Sequence, residues 1–159
     1  MENIGNENNA DAFYRYKMPK MIIKIEGNGN GIKTKIINLD DIAKALDRSS
    51  DYLLKFFIYE LGTSCKIIKN DKQVEYIIMG SHNLVDLKLI LEHFIKMYVQ
   101  CYTCGNPETA LLFRKNQKNL TETIIKKKCL QLECKACGNF SIINPTNKLV
   151  DYIIKHITK

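Results

Sequence analysis

Isoleucines alternate with lysines over residues 21–26 and again over 32–38. A period of two puts apolar side chains on one face of a pleated ribbon and charged ones on the other, so both segments are predicted strands. Between them Gly27-Asn28-Gly29-Asn30-Gly31 supplies the positive-φ residues of a hairpin loop. A phosphate-cradling role would need a helix to follow, and the pattern continues as a strand. The period then changes. Leu39, Ile42, Ala43 and Leu46 are spaced 3, 1 and 3 apart, which predicts a short helix capped by Asn38 or Asp40. A second helix is predicted over 51–61, capped by Ser49 or Ser50 and ended by Gly62 as a left-handed residue. Residues 65–69 and 74–79 read as another hairpin across 70–72. After Gly80-Ser81 comes a longer helix over 83–97, with Leu84, Leu87, Leu91, Phe94 and Ile95 on one face. It runs into 98–101 with no linker composition between, so the last third of the chain is expected to be rigidly coupled to it. Strands are predicted at 110–113, 129–133 and 140–143, with a polar loop over 116–123. After Pro145, Leu149, Ile153, Ile154 and Ile157 mark a helix over 148–157.

Four cysteines change the picture of that last third. Cys101/Cys104 and Cys134/Cys137 form two Cys-x-x-Cys pairs, each followed by glycine, Gly105 and Gly138. Two thiolates on one tight turn, with a glycine free to take positive φ, make half of a tetrahedral metal site, and two facing turns make a closed zinc ribbon. The 29 residues between the pairs exceed the usual spacing of about 15 to 20, which implies a long excursion between the knuckles. A redox Cys-x-x-Cys normally opens a helix and has no second copy. Four thiolates leave no open position for water, so the zinc expected here is structural. Cys65 and Cys129 stand alone beside apolar neighbours and read as packing residues. His82, His93 and His156 form no ligand or triad pattern.

Of the 159 residues 45% are hydrophobic, enough for a core, and no apolar run reaches the roughly 18 residues of a membrane helix. No association with a membrane is expected. The polar, acidic start over 1–10 is no secretory signal and is predicted to be disordered. With four cysteines in metal spacing, this points to a reducing cytosol or nucleus. The net charge is +7, and residues 114–135 hold seven basic side chains against two acidic. Such a field favours a polyanion such as RNA, although a lysine run is also an ordinary solvated face. The fold class is therefore α+β: a small sheet of two hairpins with helices packed on it, then a four-cysteine zinc ribbon and a closing C-terminal helix. The expected division is a tail over 1–10, an α+β domain over 11–98, a ribbon over 99–144 and a helix over 145–159 packing back on the body.

Several of these segments together carry a resemblance. They are Phe13-Tyr14-Arg15-Tyr16-Lys17-Met18-Pro19, the run from Glu26 through Gly27-Asn28-Gly29-Asn30-Gly31 to Ile32-Lys33-Thr34, Ala43-Lys44-Ala45-Leu46, Glu60-Leu61-Gly62, Gly80-Ser81-His82, Cys104-Gly105-Asn106-Pro107-Glu108-Thr109 and Cys134-Lys135-Ala136-Cys137-Gly138. Over about residues 11–158 the chain resembles the N-terminal domain of the initiation factor five family, and more distantly the beta subunit of initiation factor two. The resemblance implies a translation factor that stimulates, in trans, GTP hydrolysis by the gamma subunit of factor two in the 43S/48S preinitiation complex during start-codon selection. Arg15 matches the proposed arginine finger, with Lys33 and Lys55 in support. Lys24, Asn28, Gly29, Asn30, Gly31 and Lys72 match loops that approach initiator tRNA and the codon on the 40S subunit, with Asn28 where some members carry a basic residue. The implied partners are factor two, gamma and beta subunits with GTP, together with initiator tRNA and the 40S subunit with mRNA. Outside that complex a monomer is expected, in the cytoplasm, or the host cytoplasm for a viral source. The family continues into a helical-repeat domain past the point where this sequence stops at Lys159, so activities of that domain are expected to be absent.

Arg15 also stands out among only three arginines, lying between two tyrosines near a chain end. Its residues alone allow a second reading, a surface arginine stacked on Tyr14 or Tyr16. The whole chain likewise allows a non-catalytic ribosome- and tRNA-binding module, or more remotely a zinc-ribbon DNA-binding protein. It is not itself a GTPase, since no Walker A motif is present.

Overall fold

The computed structural model describes residues 2–5, 13, 15–113, 130–143 and 148–157. The chain divides into two compact units, Met1–Phe94 and Ile95–Lys159.

In the first unit strands β3 (Ile23–Glu26), β4 (Lys33–Ile36), β5 (Cys65–Lys69) and β6 (Val74–Met79) form an antiparallel sheet in the order β3-β4-β6-β5. The two predicted hairpins are present, and β4 and β6 join them. The alternation works as expected on one face: Thr34 and Ile36 of β4 and Tyr76 and Ile78 of β6 pair across the join, and all four are buried. Lys33 and Lys35 occupy the other face, beside Lys24 and Glu26 of β3. Lys35 bridges Glu75 at 3.2 Å there.

Three helices complete this unit: α1 (Leu39–Leu46), α2 (Ser50–Leu61) and α3 (Leu84–Tyr98), whose last turn belongs to the second unit. Helix α1 buries the four predicted positions, Leu39, Ile42, Ala43 and Leu46. Asn38 stands at its N-cap but makes no side-chain capping bond. Its amide is used instead to hold the chain entering β3, donating to Lys20 O (2.6 Å) and accepting from Ile22 N (2.9 Å). Asp40 and Asp41 in the first turn suit the positive end of the helix. Ser49 caps α2 by accepting from Asp51 N, and Gly62 ends it at φ +65°. Phe56 of α2 and Phe94 of α3 meet at 5.6 Å between ring centroids. Tyr76 of β6 donates to Asp40 Oδ1 (2.6 Å), and Ser50 donates to the same oxygen, so one carboxylate ties β6, α1 and the start of α2.

The glycine loop is a 3₁₀ turn, Gly29–Gly31. Gly27 sits at φ +92°, and a Cβ there would collide with the carbonyl oxygen of Gly31. Only glycine closes this turn without strain.

The start of the chain corrects the expectation of disorder over 1–10 at the residues described. Strand β1 (Glu2–Asn3) pairs antiparallel with β2 (Lys17–Met18), Glu2 opposite Met18 and Asn3 opposite Lys17. Ile4 follows, only 2% exposed, and its N–H donates to Tyr16 O at 2.9 Å. One buried isoleucine is what a composition-based reading of a polar tail overlooks. Residues 6–12 lie outside the described set.

In the second unit β7 (Thr109–Phe113), β8 (Leu130–Cys134) and β9 (Phe140–Ile142) form an antiparallel sheet in the order β7-β8-β9. Thr109, Leu130, Leu132 and Ile143 are buried, and the Thr109 hydroxyl donates to Val99 O. The closing helix α4 (Lys148–Ile157) buries Leu149, Val150, Ile153 and Ile154. Ile157, predicted on the apolar face, is exposed, because the buried stripe ends one turn earlier. The polar loop over 116–123, Cys129 and most of the basic run over 114–135 lie outside the described residues.

Candidate functional site

Each cysteine pair opens the same six-residue sequence, Cys-x-x-Cys-Gly-Asn, at 101–106 and 134–139. The two copies fold alike. Gly105 N donates to Cys101 O (2.9 Å), and Cys101 N donates to Asn106 O (3.0 Å); Gly138 N to Cys134 O and Cys134 N to Asn139 O repeat this at 3.0 Å each. Both glycines lie at φ +75°, the left-handed region that a side chain disfavours. Within each turn a backbone N–H approaches the first sulfur at 3.4 Å, from Thr103 to Cys101 and from Cys137 to Cys134. Sequence reasoning quoted Asn106 only within a resemblance and gave neither asparagine a part in these turns. Their repetition after Cys-Gly was the available signal.

Pairing of β7 with β8 brings the knuckles together, Thr109 lying opposite Cys134 while Lys135 N donates to Glu108 O at 2.9 Å. All four sulfurs lie within 4.8 Å of one another. Across the knuckles Cys101 lies 3.6 Å from Cys137, and Cys104 lies 3.6 Å from Cys134. A tetrahedral ion with sulfur bonds of about 2.3 Å sets its ligands about 3.8 Å apart, whereas a disulfide brings two sulfurs to about 2.05 Å. The donor set therefore fits a four-thiolate ion. Cys101 and Cys134 are buried and Cys104 and Cys137 exposed.

The thiols are also tuned unevenly. Burial raises Cys101, but N–H groups of Cys104 and Thr103 and the neighbouring thiols outweigh it and draw the group down to about 6. Cys104 is lowered by the N–H of Asn106, yet burial and hydrogen bonds with Cys134, Cys101 and Cys137 push it up to about 12. Thiols this close do not all ionise without a cation among them, because each thiolate opposes the next.

The remaining predicted residues are spread over the first unit. Arg15 is exposed, its guanidinium over the Tyr16 ring at 5.7 Å from the centroid. Lys33 and Lys55 are half-buried, on β4 and α2. Lys24, on β3, is exposed and bridges Glu26 at 3.3 Å. The Glu26 carboxyl is held below its usual value by that hydrogen bond, then by the charges of Lys35, Lys24 and Lys33. Asn28, Gly29, Asn30 and Gly31 are all exposed.

Lys33, next to the glycine turn, lies opposite Met79 at the end of β6, while Ile36 lies opposite Tyr76 near its start. The turn bearing Lys72 precedes β6, so it sits at the far end of the sheet from the glycine turn. The structure brings Lys24 and Lys33 together beside Asn28–Gly31 and leaves Lys72 apart. The histidines are not ligands of the four-sulfur cluster: His82 N donates to Thr34 Oγ1 (3.0 Å), holding the turn after β6, and His93 and His156 are exposed.

Compared with known families, residues 6–140 match the domain found in initiation factors 2B and 5. The chain is 47% identical over 156 residues, 98% of its length, to a probable eukaryotic translation initiation factor 5-1 of Arabidopsis thaliana, covering 33% of that protein. It is 43% identical over 152 residues to eukaryotic translation initiation factor 5 of Mus musculus, 95% of this chain and 32% of the relative. Against the probable factor 5 of Schizosaccharomyces pombe it is 44% identical over 146 residues, 92% and 34%. The chain thus spans about a third of the length of these relatives. The match to the Arabidopsis protein leaves out only three residues, so the likeness takes in most of the N-terminal tail as well.

Proposed function

The chain belongs to the family defined by the domain found in initiation factors 2B and 5, and from that premise we propose that it works in cytoplasmic translation initiation as an activator of a partner's GTPase. The partner is the gamma subunit of initiation factor two, engaged together with the beta subunit, initiator tRNA and the 40S subunit. Arg15 acts as the finger. The observation that carries this reading is the span of the family match, which includes the one arginine exposed near the amino end.

The chemistry asks little of the chain beyond delivery of a charge. In the transition state negative charge spreads over the oxygens of the transferred γ-phosphoryl group, and a planar, permanently ionised guanidinium can bridge two of them. Fingers of this kind accelerate hydrolysis by about 10³ to 10⁵. The contact with Tyr16 is an exposed cation–π pair, worth about 0.5 to 1 kcal/mol, and is readily exchanged for phosphate oxygens. Lys33 and Lys55 support docking on the partner. Lys24, Asn28 and its neighbours, and Lys72 approach RNA.

Zinc is the ion proposed for Cys101, Cys104, Cys134 and Cys137. Held by these four thiolates it would supply folding energy to the knuckles and no chemistry, because no position would be left open for water.

The deciding experiment is GTP hydrolysis by factor two carrying initiator tRNA on the 40S subunit, with wild-type chain and with Arg15→Ala. A loss of at least about a hundredfold in the stimulated rate is expected; equal rates refute the finger. A second reading draws on the edge made by exposed Lys24 and Asn28–Gly31 with half-buried Lys33 beside them. In it the chain is a binding module without catalytic effect, and it prevails if 40S association persists while hydrolysis never accelerates.

A further inference from the structure

An arginine finger within a free tail would be presented from any direction. Arg15 is held otherwise. The two residues that follow Tyr16, Lys17 and Met18, pair with Asn3 and Glu2, and Tyr16 O accepts the N–H of Ile4 at 2.9 Å. Arg15 is therefore the first residue outside a clamp. A pair of two-residue strands is marginal by itself, and two side chains of the tail anchor it. Ile4 is 2% exposed beside a partner strand whose Met18 is 4% exposed. The Glu2 carboxylate meets Lys88 Nζ of α3 at 3.0 Å.

We propose that Glu2 and Ile4 are positioning residues for Arg15, which fasten the chain's first residues as a strap over β2 so that the guanidinium leaves the domain from a fixed point. The inference rests on the reading of Arg15 as the activating group. The physical gain is entropic. An arginine whose backbone origin is set loses less freedom on reaching a phosphoryl group, so the strap acts on the rate at saturation and leaves the affinity of the domain for its partner unchanged. Neither Glu2 nor Ile4 touches the reacting atoms.

The test compares stimulated GTP hydrolysis, titrated to saturation, for wild-type chain, Arg15→Ala, Ile4→Ser, Ile4→Val and a charge swap of Glu2→Lys with Lys88→Glu, singly and together. Ile4→Ser is expected to lower the saturating rate about ten- to a hundredfold at an unchanged half-saturating concentration, as misplacement by about 1 Å does. Ile4→Val should restore it. Each single charge swap should cost about two- to threefold, and the double swap should recover the loss. A change in half-saturating concentration alone would make the strap a docking element and overturn the proposal. Wild-type rates in Ile4→Ser, with Arg15→Ala inactive, would overturn the strap and leave the activator standing. If Arg15→Ala itself hydrolyses GTP at the wild-type rate, both fall. Should Ile4→Ser unfold, the charge swaps decide: recovery in the double supports the strap, and no effect in either single refutes it.

Discussion

Tyr76 shows how one side chain carries several of the fold's constraints. Its ring lies on the buried face of the sheet and its hydroxyl donates to Asp40, which also accepts from Ser50. Burial, then the bond to Asp40, push the phenol up to about 12 from 10.0. A raised pKa means that folding favours the protonated form. The contribution is whole below pH 10.0 and disappears as pH climbs through about 12. Tyr76→Phe should therefore cost about 1 kcal/mol at neutral pH and flatten the alkaline limb of the stability profile, as denaturant titrations between pH 7 and 12 would read. Neither partner of Tyr76 was legible in the sequence. Asp40 looked like a capping candidate and Ser50 like another, because a side chain's local options are visible in sequence and its distant partner is not.

At the scale of elements the two cysteine knuckles are the sharpest case. Each turn was readable from Cys-x-x-Cys-Gly, since the glycine at φ +75° follows from local backbone sterics. Their cross-knuckle spacing of 3.6 Å was not readable, because it depends on the register of β7 against β8 across a long excursion. Structural zinc commonly contributes about 10 to 16 kcal/mol of binding free energy that is also folding free energy. A strong chelator, or Cys101→Ser, should expose the amides of β7 and β8 to hydrogen exchange while α2 and β6 keep their protection. Undiminished protection of the ribbon without metal would refute a structural ion. Strand β1 marks the opposite limit. Two polar residues carry no periodicity, and its existence follows from Ile4 finding a buried place.

For the molecule as a whole, the net charge of +7 says that polyanions are attracted without saying where. The sheet order answers part of that. With the glycine turn and the Lys72 turn at opposite ends of one sheet, a single short stretch of RNA backbone does not engage both. Lys24→Ala and Lys72→Ala should have additive effects on 40S complex affinity, within about 0.5 kcal/mol, as separated sites do. Each substitution at a true phosphate contact should also reduce the salt dependence of binding by about one unit of slope. Coupling beyond that margin would mean that one ligand bridges the two ends.

The chain's own residues settled where the helices and strands β3 to β9 lie, which turns require glycine and which four side chains are suited to metal. Each of those follows from sterics, period and donor chemistry within a few neighbouring residues. Only the three-dimensional structure decided that β4 joins β6, that the first residues are strapped to β2 and that the two loops point apart. Backbone hydrogen bonds do not choose their partners, since every strand offers the same donors and acceptors. Packing of buried side chains such as Ile4, Thr34 and Ile78 makes the choice, and it compares segments that no local pattern brings together.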